Sequence, residues 1–519
     1  MKNKTVLLTL ILLGLGLRLF RLDSRPLGFT WDEAALGYNA YSLIKTGRDE
    51  YGKILPVILK SFGDYKPGVY AYLAVPSIAT LGLNEFATRL PSAILGTLLI
   101  VIVYLLTQNM FAALLLAINP WSLYFSRGAW EANIAVTFTT LAALLFIRRR
   151  YLLSALFFGL TFLTYQGAKM FTPLLITSLF LIYRPAVKLL FKPLLLLLLL
   201  LLPIVLGLSS QSGRLKVFSV FSYTRRPDTI REILRQDNSN IFLFSLFHLE
   251  LIDQGRGVLQ RYLNHLSPYF LFFAGDWQNL RHSVPYYGYF HISEIVTILI
   301  GLVVLLRTNN QLTKLLAAWL LLAPLPSALS RDLVSGVRSL PLFVPLVIIS
   351  GMGLARFFRH RFHFYSYTLL LLFFLIYYLD LFYIHSPNFT AVDMVYPYKP
   401  VLAIVKQHLG EYQKVIFSDK LGQPYIFTLF YLHIDPKQYQ LQSRLTPNLQ
   451  GDVGHVDAFD KFTFRPLFLP DDRLVKSAIL IGDQYELPES DLQTIPNLTP
   501  LGEVKYPNGA PALRLVGLK

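Results

Sequence analysis

The sequence contains no cysteine, which excludes disulfide bonds, thiolate catalysis and metal sites built on cysteine. Charge is also scarce, since 15% of its 519 residues are charged, against about 25% in ordinary soluble domains. The chain has neither an HExxH metal motif nor a glycine-rich loop for nucleotide phosphates. It therefore gives no support to a nucleotide-sugar donor.

Apolar sequence is what the chain has in abundance. Hydrophobic residues make up 54% of it and its mean hydropathy is +0.47, as expected of a polytopic membrane protein. Because no small-x-small cleavage site follows residues 5–20, this first run is interpreted as a retained span and not as a secretory signal. The apolar runs predict about eleven spans, several of them near the minimum spanning length. They lie at 5–20, 87–107, 109–125, 131–147, 151–166, 170–183, 188–208, 290–306, 312–328, 337–355 and 364–383.

The net charge of +17 would suit nucleic acid if it formed one patch, but its distribution argues against such a partner. Arginines and lysines collect in acid-free connections between the predicted spans, at 148–150, 184–192, 307–314 and 356–361. Such connections stay in the cytoplasm under the positive-inside rule. We therefore expect a multi-pass protein of the cell membrane, with a cytoplasmic N-terminus, acidic motifs outside the cytoplasm and no nucleic-acid partner.

The outer segments 21–86 and 209–289 are longer than simple turns. In the first, the stretches 34–44 and 67–80 predict amphipathic helices that lie along the membrane interface. Four tyrosines of these stretches are expected at headgroup depth: Tyr38, Tyr41, Tyr70 and Tyr72.

Hydrophobicity falls from about residue 384 onward. Strand-like runs appear there at 414–418 and 478–482, with a helical pattern at 424–433. The sequence thus predicts two domains, a transmembrane domain at 1–383 and a small extracytoplasmic α/β domain at 384–519. We expect the second to be a separable accessory domain that helps acceptor choice and carries no catalytic residue.

The motif Thr30-Trp31-Asp32-Glu33 follows the first predicted span. Carboxylates close to hydrocarbon need a partner or a water-filled cavity, so an Asp-Glu pair at this depth indicates a functional cleft. The same spacing fits a capping box, in which Thr30 and Glu33 satisfy amides at the start of a helix. The two interpretations are compatible, since a cap fixes the backbone while Asp32 faces the cleft.

Lys66 directly precedes Pro67, which favours an extended Lys66 and suits the first turn of a following helix. Lys66 would then project beside free helix amides, which also attract anions. This arrangement suits a lipid-linked phosphate. The alternative is that Lys66 only reaches toward the membrane interface.

Further polar residues lie on later outer segments. Arg127 and Glu131 are four residues apart, so they would either pair on a helix or leave Glu131 as a second cleft carboxylate. Asp276, Arg281 and His282 occur in an aromatic segment that suits a sugar or a headgroup, or else a folded surface loop.

Arg338 lies at the outer end of a predicted span, where it would grip a phosphate through two N–H groups or anchor the helix. A divalent cation such as Mg²⁺ or Mn²⁺ is a candidate cofactor, with Asp32, Glu33 and Glu131 as its oxygen ligands. The sequence leaves the metal requirement open.

Four motifs occur in order within residues 1–350. They are Trp31-Asp32-Glu33, Asp64-x-Lys66-Pro67-x-x-Tyr70, Glu85-Phe86-Ala87-x-Arg89-Leu90-Pro91-Ser92 and the stretch from Arg127 to Glu131. In this order they resemble polytopic glycosyltransferases of the GT-C fold, specifically the bacterial protein-O-mannosyltransferase and aminoarabinose-transferase-like superfamily. Two departures stand out: Gly68 replaces a second proline that the family often has, and Glu131 stands where many relatives show Asp.

The resemblance implies inverting transfer of a mannose-like hexose or a pentose from a polyprenyl-phosphate carrier. The acceptor would be a protein, lipid or glycan outside the cytoplasm. By analogy Asp32 would be the acidic catalytic residue, acting as the general base, Lys66 would contact the carrier phosphate and Arg89 would support the site. The candidate site residues are the acids Asp32, Glu33 and Glu131 for catalysis, Lys66, Arg89 and Arg338 for the donor phosphate, and Asp64, Tyr70, Arg127, Asp276, Arg281 and His282 for substrate.

Two other functions fit the same sequence. A lipid-glycan ligase would use an oligosaccharide on pyrophosphate as donor. A lipid or sugar transporter belongs to a different class, and such proteins often have paired halves with polar groups at the bilayer midplane. This sequence shows no internal repeat and concentrates its polar motifs at one face, which counts against transport.

Overall fold

The computed structural model describes residues 2–62, 64–207, 226–358, 361–442, 445–446 and 454–519, and within them every side chain except those of residues 2, 3, 64 and 361–364. Helices dominate the described chain. The side chain of Asp64, a predicted substrate contact, lies outside the described residues, as does the stretch 208–225 of the second long outer segment.

The N-terminal part consists of helices and one short hairpin. Its α-helices are Lys2–Leu19, Trp31–Thr46, Val69–Leu81, Glu85–Thr107, Met110–Ile118, Pro120–Ser126, Glu131–Ile147, Tyr151–Phe162, Ala168–Tyr183 and Phe191–Leu206, with a 3₁₀ turn at Val187–Leu189. The hairpin strands are Ile58–Ser61 and Asp64–Pro67, which pair antiparallel.

Helices continue up to residue 408. The α-helices are Pro227–Gln236, Ile241–Phe247, Glu250–Leu266, Glu294–Arg307, Gln311–Leu322, Leu325–Ala328, Phe343–Phe357, Arg361–Asp380, Ser386–Thr390 and Tyr398–His408. Short 3₁₀ turns occur at Leu280–His282 and Leu340–Leu342, and π turns at Tyr269–Ala274 and Leu381–His385.

Each of the eleven predicted spans contains a helix, and the chain is a membrane protein by its apolar helices. Among the described residues, three helices are long and apolar enough to cross a membrane: Glu85–Thr107, Leu340–Phe357 and Tyr365–Thr390. A fourth results if Pro120–Ser126 and Glu131–Ile147, bent by 117°, are one broken span. The number of spans and their orientation therefore remain predictions.

The predicted span 109–125 is broken at Asn119, which separates the helices Met110–Ile118 and Pro120–Ser126. Asn119 is extended, with φ −61° and ψ 126°, and its side chain accepts a hydrogen bond from the Ser122 amide. Pro120 then occupies the first helical position, where its missing N–H costs nothing.

The tail folds around a six-stranded sheet with the order Ala458–Phe459, Phe462–Phe464, Lys414–Phe417, Ala478–Gly482, Pro511–Leu518 and Leu498–Lys505. The central strand Lys414–Phe417 is parallel to both of its neighbours, and the outer pairings are antiparallel. Short strands also pair at Leu445–Thr446 and His455–Val456, and the helices of this part are Pro424–Tyr431, Pro436–Gln442, Leu469–Asp472 and Glu489–Thr494. The predicted strands at 414–418 and 478–482 and the predicted helix at 424–433 are confirmed.

One hydrophobic core joins the first outer segment to this tail. Phe29, Tyr38 and Tyr70 share it with Phe417 and Phe430. Gly37 shows how closely the two parts approach, because a Cβ on it would lie 2.7 Å from Cε2 of Phe430. The tail therefore does not pack as the separable unit that we expected, and the domain boundary at 383/384 remains a prediction.

The two helices predicted in the first outer segment are present, as Trp31–Thr46 and Val69–Leu81. Two of the four tyrosines correct the expectation of headgroup contact, since Tyr38 and Tyr70 are both 0% exposed. The tail covers Tyr38, whose hydroxyl donates to the carbonyl of Ile434 at 3.1 Å, whereas the Tyr70 hydroxyl donates to Thr88 in the helix Glu85–Thr107. Tyr41 and Tyr72 are half-buried, and their headgroup contact stays a prediction.

Candidate active site

The helix Trp31–Thr46 begins with the predicted capping box. Thr30 is extended, its Oγ1 accepts from the Glu33 amide at 3.3 Å, and its own amide donates to Oε2 of Glu33 at 3.0 Å. Asp32 therefore stands in the first helical turn, where the helix dipole favours a negative charge. Its side chain is 36% exposed, so solvent and a substrate can reach the carboxylate.

Lys66 meets Asp32 across 34 residues of sequence, and the two side chains form an ion pair. The short hairpin fixes Lys66, which is paired in register with Leu59. Its Nζ also lies 5.0 Å from the ring centroid of Phe62, within cation–π range. The structure thus brings together a reachable carboxylate and a cation that the sequence analysis had assigned to base and phosphate contact.

Glu33 and Arg89 form a second, buried pair behind the first. The Glu33 carboxylate accepts from Nε of Arg89 at 2.8 Å and from the Ala129 amide at 2.9 Å. Arg89 is 0% exposed and also donates to three carbonyls, those of Leu22, Pro26 and Gly28. This corrects the expected roles: both groups are saturated by the protein, so we assign Glu33 and Arg89 to positioning and not to catalysis or phosphate contact.

Arg127 is likewise enclosed, with 2% exposure. It donates to the carbonyls of Leu17, Arg18, Phe20 and Arg25 at the end of the first helix. Arg127, a predicted substrate contact, therefore binds and fixes the backbone that precedes the Asp32 motif. Tyr70 is corrected in the same way, because its buried hydroxyl donates to the carbonyl of Thr88 at 2.9 Å. Glu131, half-buried, begins the helix Glu131–Ile147.

The aromatic outer segment comes directly to the opening motif. The guanidinium of Arg281 lies 4.9 Å from the ring centroid of Trp31, the neighbour of Asp32. His282 packs edge-on against Trp130, with ring centroids 5.2 Å apart. Arg281 and His282 thus lie beside the candidate site, and their contact with substrate stays a prediction.

Asp276 stabilises the conformation of this segment. It is 1% exposed, accepts from the amides of Asn279 and Gly336 at 3.1 and 2.8 Å, and lies 3.1 Å from Nδ1 of His282. A carboxylate so enclosed orients His282 and the turn. We therefore assign Asp276 to positioning, in place of the expected substrate contact.

Arg338 forms an ion pair with Asp332 and donates to Oγ of Ser330 at 3.3 Å. Its side chain keeps 24% exposure and lines a narrow groove with Ala132, Tyr165 and Pro341. Arg338 remains a candidate for phosphate contact, beside the helix that Glu131 begins.

The expected cation site of Asp32, Glu33 and Glu131 does not fit the arrangement. Glu33 is buried and its oxygens already accept from Arg89, Thr30 and Ala129. Within the described ranges, no three His, Asp or Glu side chains come close enough to hold a metal ion.

No family model and no curated protein matches the sequence. The structure is similar to that of ArnT from Cupriavidus metallidurans bound to undecaprenyl phosphate, with a TM-score of 0.54 at 12% identity over 98% of this chain and 97% of that one. The apo state of the same protein gives a TM-score of 0.53 at 12% identity, over 100% and 98% of the two chains. The chain has the GT-C fold. This confirms the fold that the motif resemblance predicted.

A second likeness is to the archaeal oligosaccharyltransferase AglB from Archaeoglobus fulgidus, solved with an inhibitory peptide and a dolichol-phosphate. The TM-score is 0.47 at 14% identity, over 82% of this chain, and this chain spans 63% of the length of AglB.

Three residues near the Asp32–Lys66 pair were not identified from the sequence. They are Phe62, Gly422 and Gly454, of which the last two belong to the tail. No local pattern marks the two glycines, because their places follow from packing between segments several hundred residues apart.

Proposed function

We propose that this GT-C protein is an integral membrane glycosyltransferase that uses a polyprenyl-phosphate sugar as donor. The observation that carries the proposal is the ion pair between Asp32, on a helix start, and Lys66, beside the start of the next helix. A reachable carboxylate with a cation beside it is what base-assisted transfer from a phosphate requires. The fold shared with ArnT, solved bound to undecaprenyl phosphate, supports this class of donor.

The reaction is a single displacement at the anomeric carbon of the sugar. The acceptor hydroxyl oxygen bonds to that carbon while its proton passes to the Asp32 carboxylate. The bond from carbon to phosphate oxygen breaks, and polyprenyl phosphate leaves with the electron pair, held by Lys66. Because attack comes opposite the leaving phosphate, the anomeric configuration inverts, by the logic of base-assisted inverting sugar transfer.

The ion pair itself suggests how donor binding prepares the base. Lys66 contacts Asp32 in the structure. The donor phosphodiester carries one negative charge, as the Asp32 carboxylate does, and would compete for the same ammonium group, which it would hold more strongly as charge grows on the departing phosphate. As Lys66 turns to the phosphate, the Asp32 carboxylate loses one charge partner and becomes a better acceptor for the hydroxyl proton.

The transferred sugar is proposed to be a mannose-like hexose or a pentose, and the acceptor a protein, lipid or glycan outside the cytoplasm. Arg281 and His282, beside the Asp32 motif, and Arg338, beside the helix that Glu131 begins, are partly exposed and suit contacts to these groups. The enzyme would work in the cell membrane, with this face extracytoplasmic.

Donor cleavage tests the proposal directly. The purified protein in lipid nanodiscs is incubated with candidate polyprenyl-phosphate sugars, and the free polyprenyl phosphate is quantified by mass spectrometry. We expect release with at least one sugar, and its loss in the Asp32→Asn variant. No release with any hexosyl or pentosyl donor, from a folded protein, contradicts the proposal.

The same assay separates the alternatives. A lipid-glycan ligase would release polyprenyl pyrophosphate from a pyrophosphate-linked oligosaccharide and leave the monophosphate donors intact. A transporter would move an intact lipid or sugar across sealed vesicles without breaking a bond.

A further inference from the structure

The tail touches the indole that precedes the candidate base. Gly422, in the loop after the strand Lys414–Phe417, has φ +115°, a backbone conformation that side chains rarely adopt. A Cβ built on it would lie 3.1 Å from Cζ3 and 3.3 Å from Cε3 of Trp31. Gly422 therefore allows the tail to lie against Trp31, one residue before Asp32.

A neighbouring part of the tail contacts Phe62, which lies against Lys66. The Gly454 amide donates to the carbonyl of Phe62, whose ring lies under Nζ of Lys66 at 5.0 Å. The side chain of Gln423 donates to the carbonyl of Gly454 at 3.0 Å and so ties the two tail contacts together. One small patch of the tail thus reaches the supports of both Asp32 and Lys66.

The aromatic outer segment also contacts the indole of Trp31. Arg281 lies 4.9 Å from the Trp31 ring centroid, and its carbonyl accepts from the hydroxyl of Tyr124 at 2.8 Å. The ring of Trp31 is therefore fixed by the tail and by the aromatic outer segment. Because Trp31 and Asp32 are adjacent in the first helical turn, a displaced indole would tilt the carboxylate as well.

We propose that the tail positions the Asp32–Lys66 pair, through Gly422 on Trp31 and through Gly454 on Phe62. Gly422 and Gly454 are positioning residues, since they act through other groups and meet no substrate themselves. The inference rests on the proposed function for its catalytic meaning. Its geometric content, that the tail sets how Lys66 and Asp32 meet, holds for any activity of this site.

Gly422→Ala tests the first contact, with Gly509→Ala as the matched control. Gly509 also has positive φ, +85°, but a Cβ on it meets nothing within 4 Å. Both variants carry the same kind of backbone strain, whereas Gly422→Ala also pushes on the indole. We expect kcat for sugar transfer to fall about threefold to tenfold in Gly422→Ala, because a displacement of a few tenths of an ångström disturbs a catalytic geometry. The KM for donor should change little, and Gly509→Ala should keep the wild-type kcat.

A smaller ring should restore part of the lost rate. Trp31→Phe removes the Cζ3 and Cε3 atoms of the indole that the new Cβ would meet. The kcat of the double variant Gly422→Ala/Trp31→Phe should therefore exceed the product of the two single effects. A general loss of folding would show no such coupling between the two positions.

Chemical labelling of Lys66 gives a readout that needs no turnover. Acetic anhydride reacts faster with a lysine that is less tightly paired, and mass spectrometry quantifies acetylation at Lys66. We expect faster labelling in Gly422→Ala than in Gly509→Ala, with the exposed Lys399 as an internal reference in both. Equal labelling of Lys66 in the two variants overturns the positioning role, and so does an equal kcat. If the wild type cleaves no polyprenyl-phosphate sugar, the proposed function fails, and the labelling still decides the positioning role.

Discussion

The carboxylate of Glu33 lies 2.8 Å from Nε of Arg89, with the two side chains 1% and 0% exposed. This contact ties the capped start of the Asp32 helix to the helix Glu85–Thr107. Charges enclosed in this way need each other, because a lone buried ion is far costlier than a paired one. The adjacent acids of the motif therefore have different roles. Asp32 can be reached by a substrate, whereas Glu33 fixes the start of the helix against Arg89.

Glu33→Gln should therefore reduce stability far more than an exposed substitution. The variant keeps a capping hydrogen bond but leaves the Arg89 charge buried without its counter-ion. We expect unfolding to become easier by roughly 3–5 kcal/mol, the usual scale for removal of one partner of a buried pair. Thermal unfolding in one detergent, followed by the loss of helical circular dichroism, measures the change.

Arg231→Gln is the control for this experiment. It breaks the ion pair of Arg231 with Asp228, in which the two side chains are 76% and 86% exposed. Such pairs contribute about 0–1 kcal/mol, so its unfolding temperature should stay near that of the wild type. Equal losses for Glu33→Gln and Arg231→Gln would contradict the structural role of Glu33.

Glu50 should make stability fall as pH rises. It is fully buried where the first outer segment meets the tail, and its pKa is raised from 4.5 to about 8. Burial is the main cause and the Asp49 charge adds to it, whereas the hydrogen bonds with Asn39 and Ser61 and the Lys66 charge lower the pKa. The unfolded chain releases this proton from about pH 4.5 upward, before the folded chain does, so ionisation favours unfolding until about pH 8. Glu50→Gln removes the effect and should be the more stable protein at pH 8, with little difference at pH 4.5.

Unfolding midpoints measured between pH 4.5 and 8.5 test this. The matched control is Glu411→Gln, which changes a carboxylate with 60% side-chain exposure and should keep the wild-type pH profile. A Glu50→Gln protein whose stability falls with pH as steeply as that of the wild type would show that another group titrates.

Local patterns in the sequence were sufficient for the parts of the site that depend on neighbours along the chain. The spacing of Thr30 and Glu33 predicted the capping box, and Pro67 predicted an extended Lys66 before a helix, which the strand Asp64–Pro67 confirms. The motif resemblance added the fold, which the likeness to ArnT shows. The sequence therefore placed Asp32 and Lys66 at one site before their contact was visible.

The roles of the buried ions could not be predicted in this way. Glu33, Arg89 and Arg127 look like further site residues in the sequence, because an acid or a base near an apolar span is unusual. Their burial depends on backbone carbonyls and on Ala129, groups that no side-chain pattern reveals. The place of the tail was missed for the same reason, since Gly37 meets Phe430 only after both parts have folded.

A reporter fused after Leu381 tests the orientation, which remains a prediction. The acid-free basic connections at 148–150 and 356–361 should lie in the cytoplasm. Residue 381 would then lie outside, and a reporter that is active only in the cytoplasm should be silent. The same reporter after Arg150 should be active. Activity at 381 would reverse the orientation and place the Asp32 site in the cytoplasm.

Asp32→Asn should abolish most of the transfer and leave donor binding nearly intact. The amide keeps the size of the side chain but cannot take up the proton of the acceptor hydroxyl. We expect the rate to fall roughly 10²- to 10⁴-fold, the usual scale for removal of a general base. Asp23→Asn, a change of an exposed acid in the same segment, should keep the wild-type rate. Wild-type transfer by a folded Asp32→Asn protein would refute the catalytic assignment.

Lys66→Ala should impair sugar transfer in a different way, through both donor binding and turnover. The variant loses the cation that holds the carrier phosphate, so the KM for donor should rise, and kcat should fall as far as charge grows on the leaving phosphate in the transition state. Lys66→Arg keeps the charge with another geometry and should recover part of both losses. Donor titrations of the two variants beside the wild type measure kcat and KM separately. If Lys66→Ala kept the wild-type KM and kcat, Lys66 would be only a partner of Asp32, and the phosphate would have to be held by another cation such as Arg338.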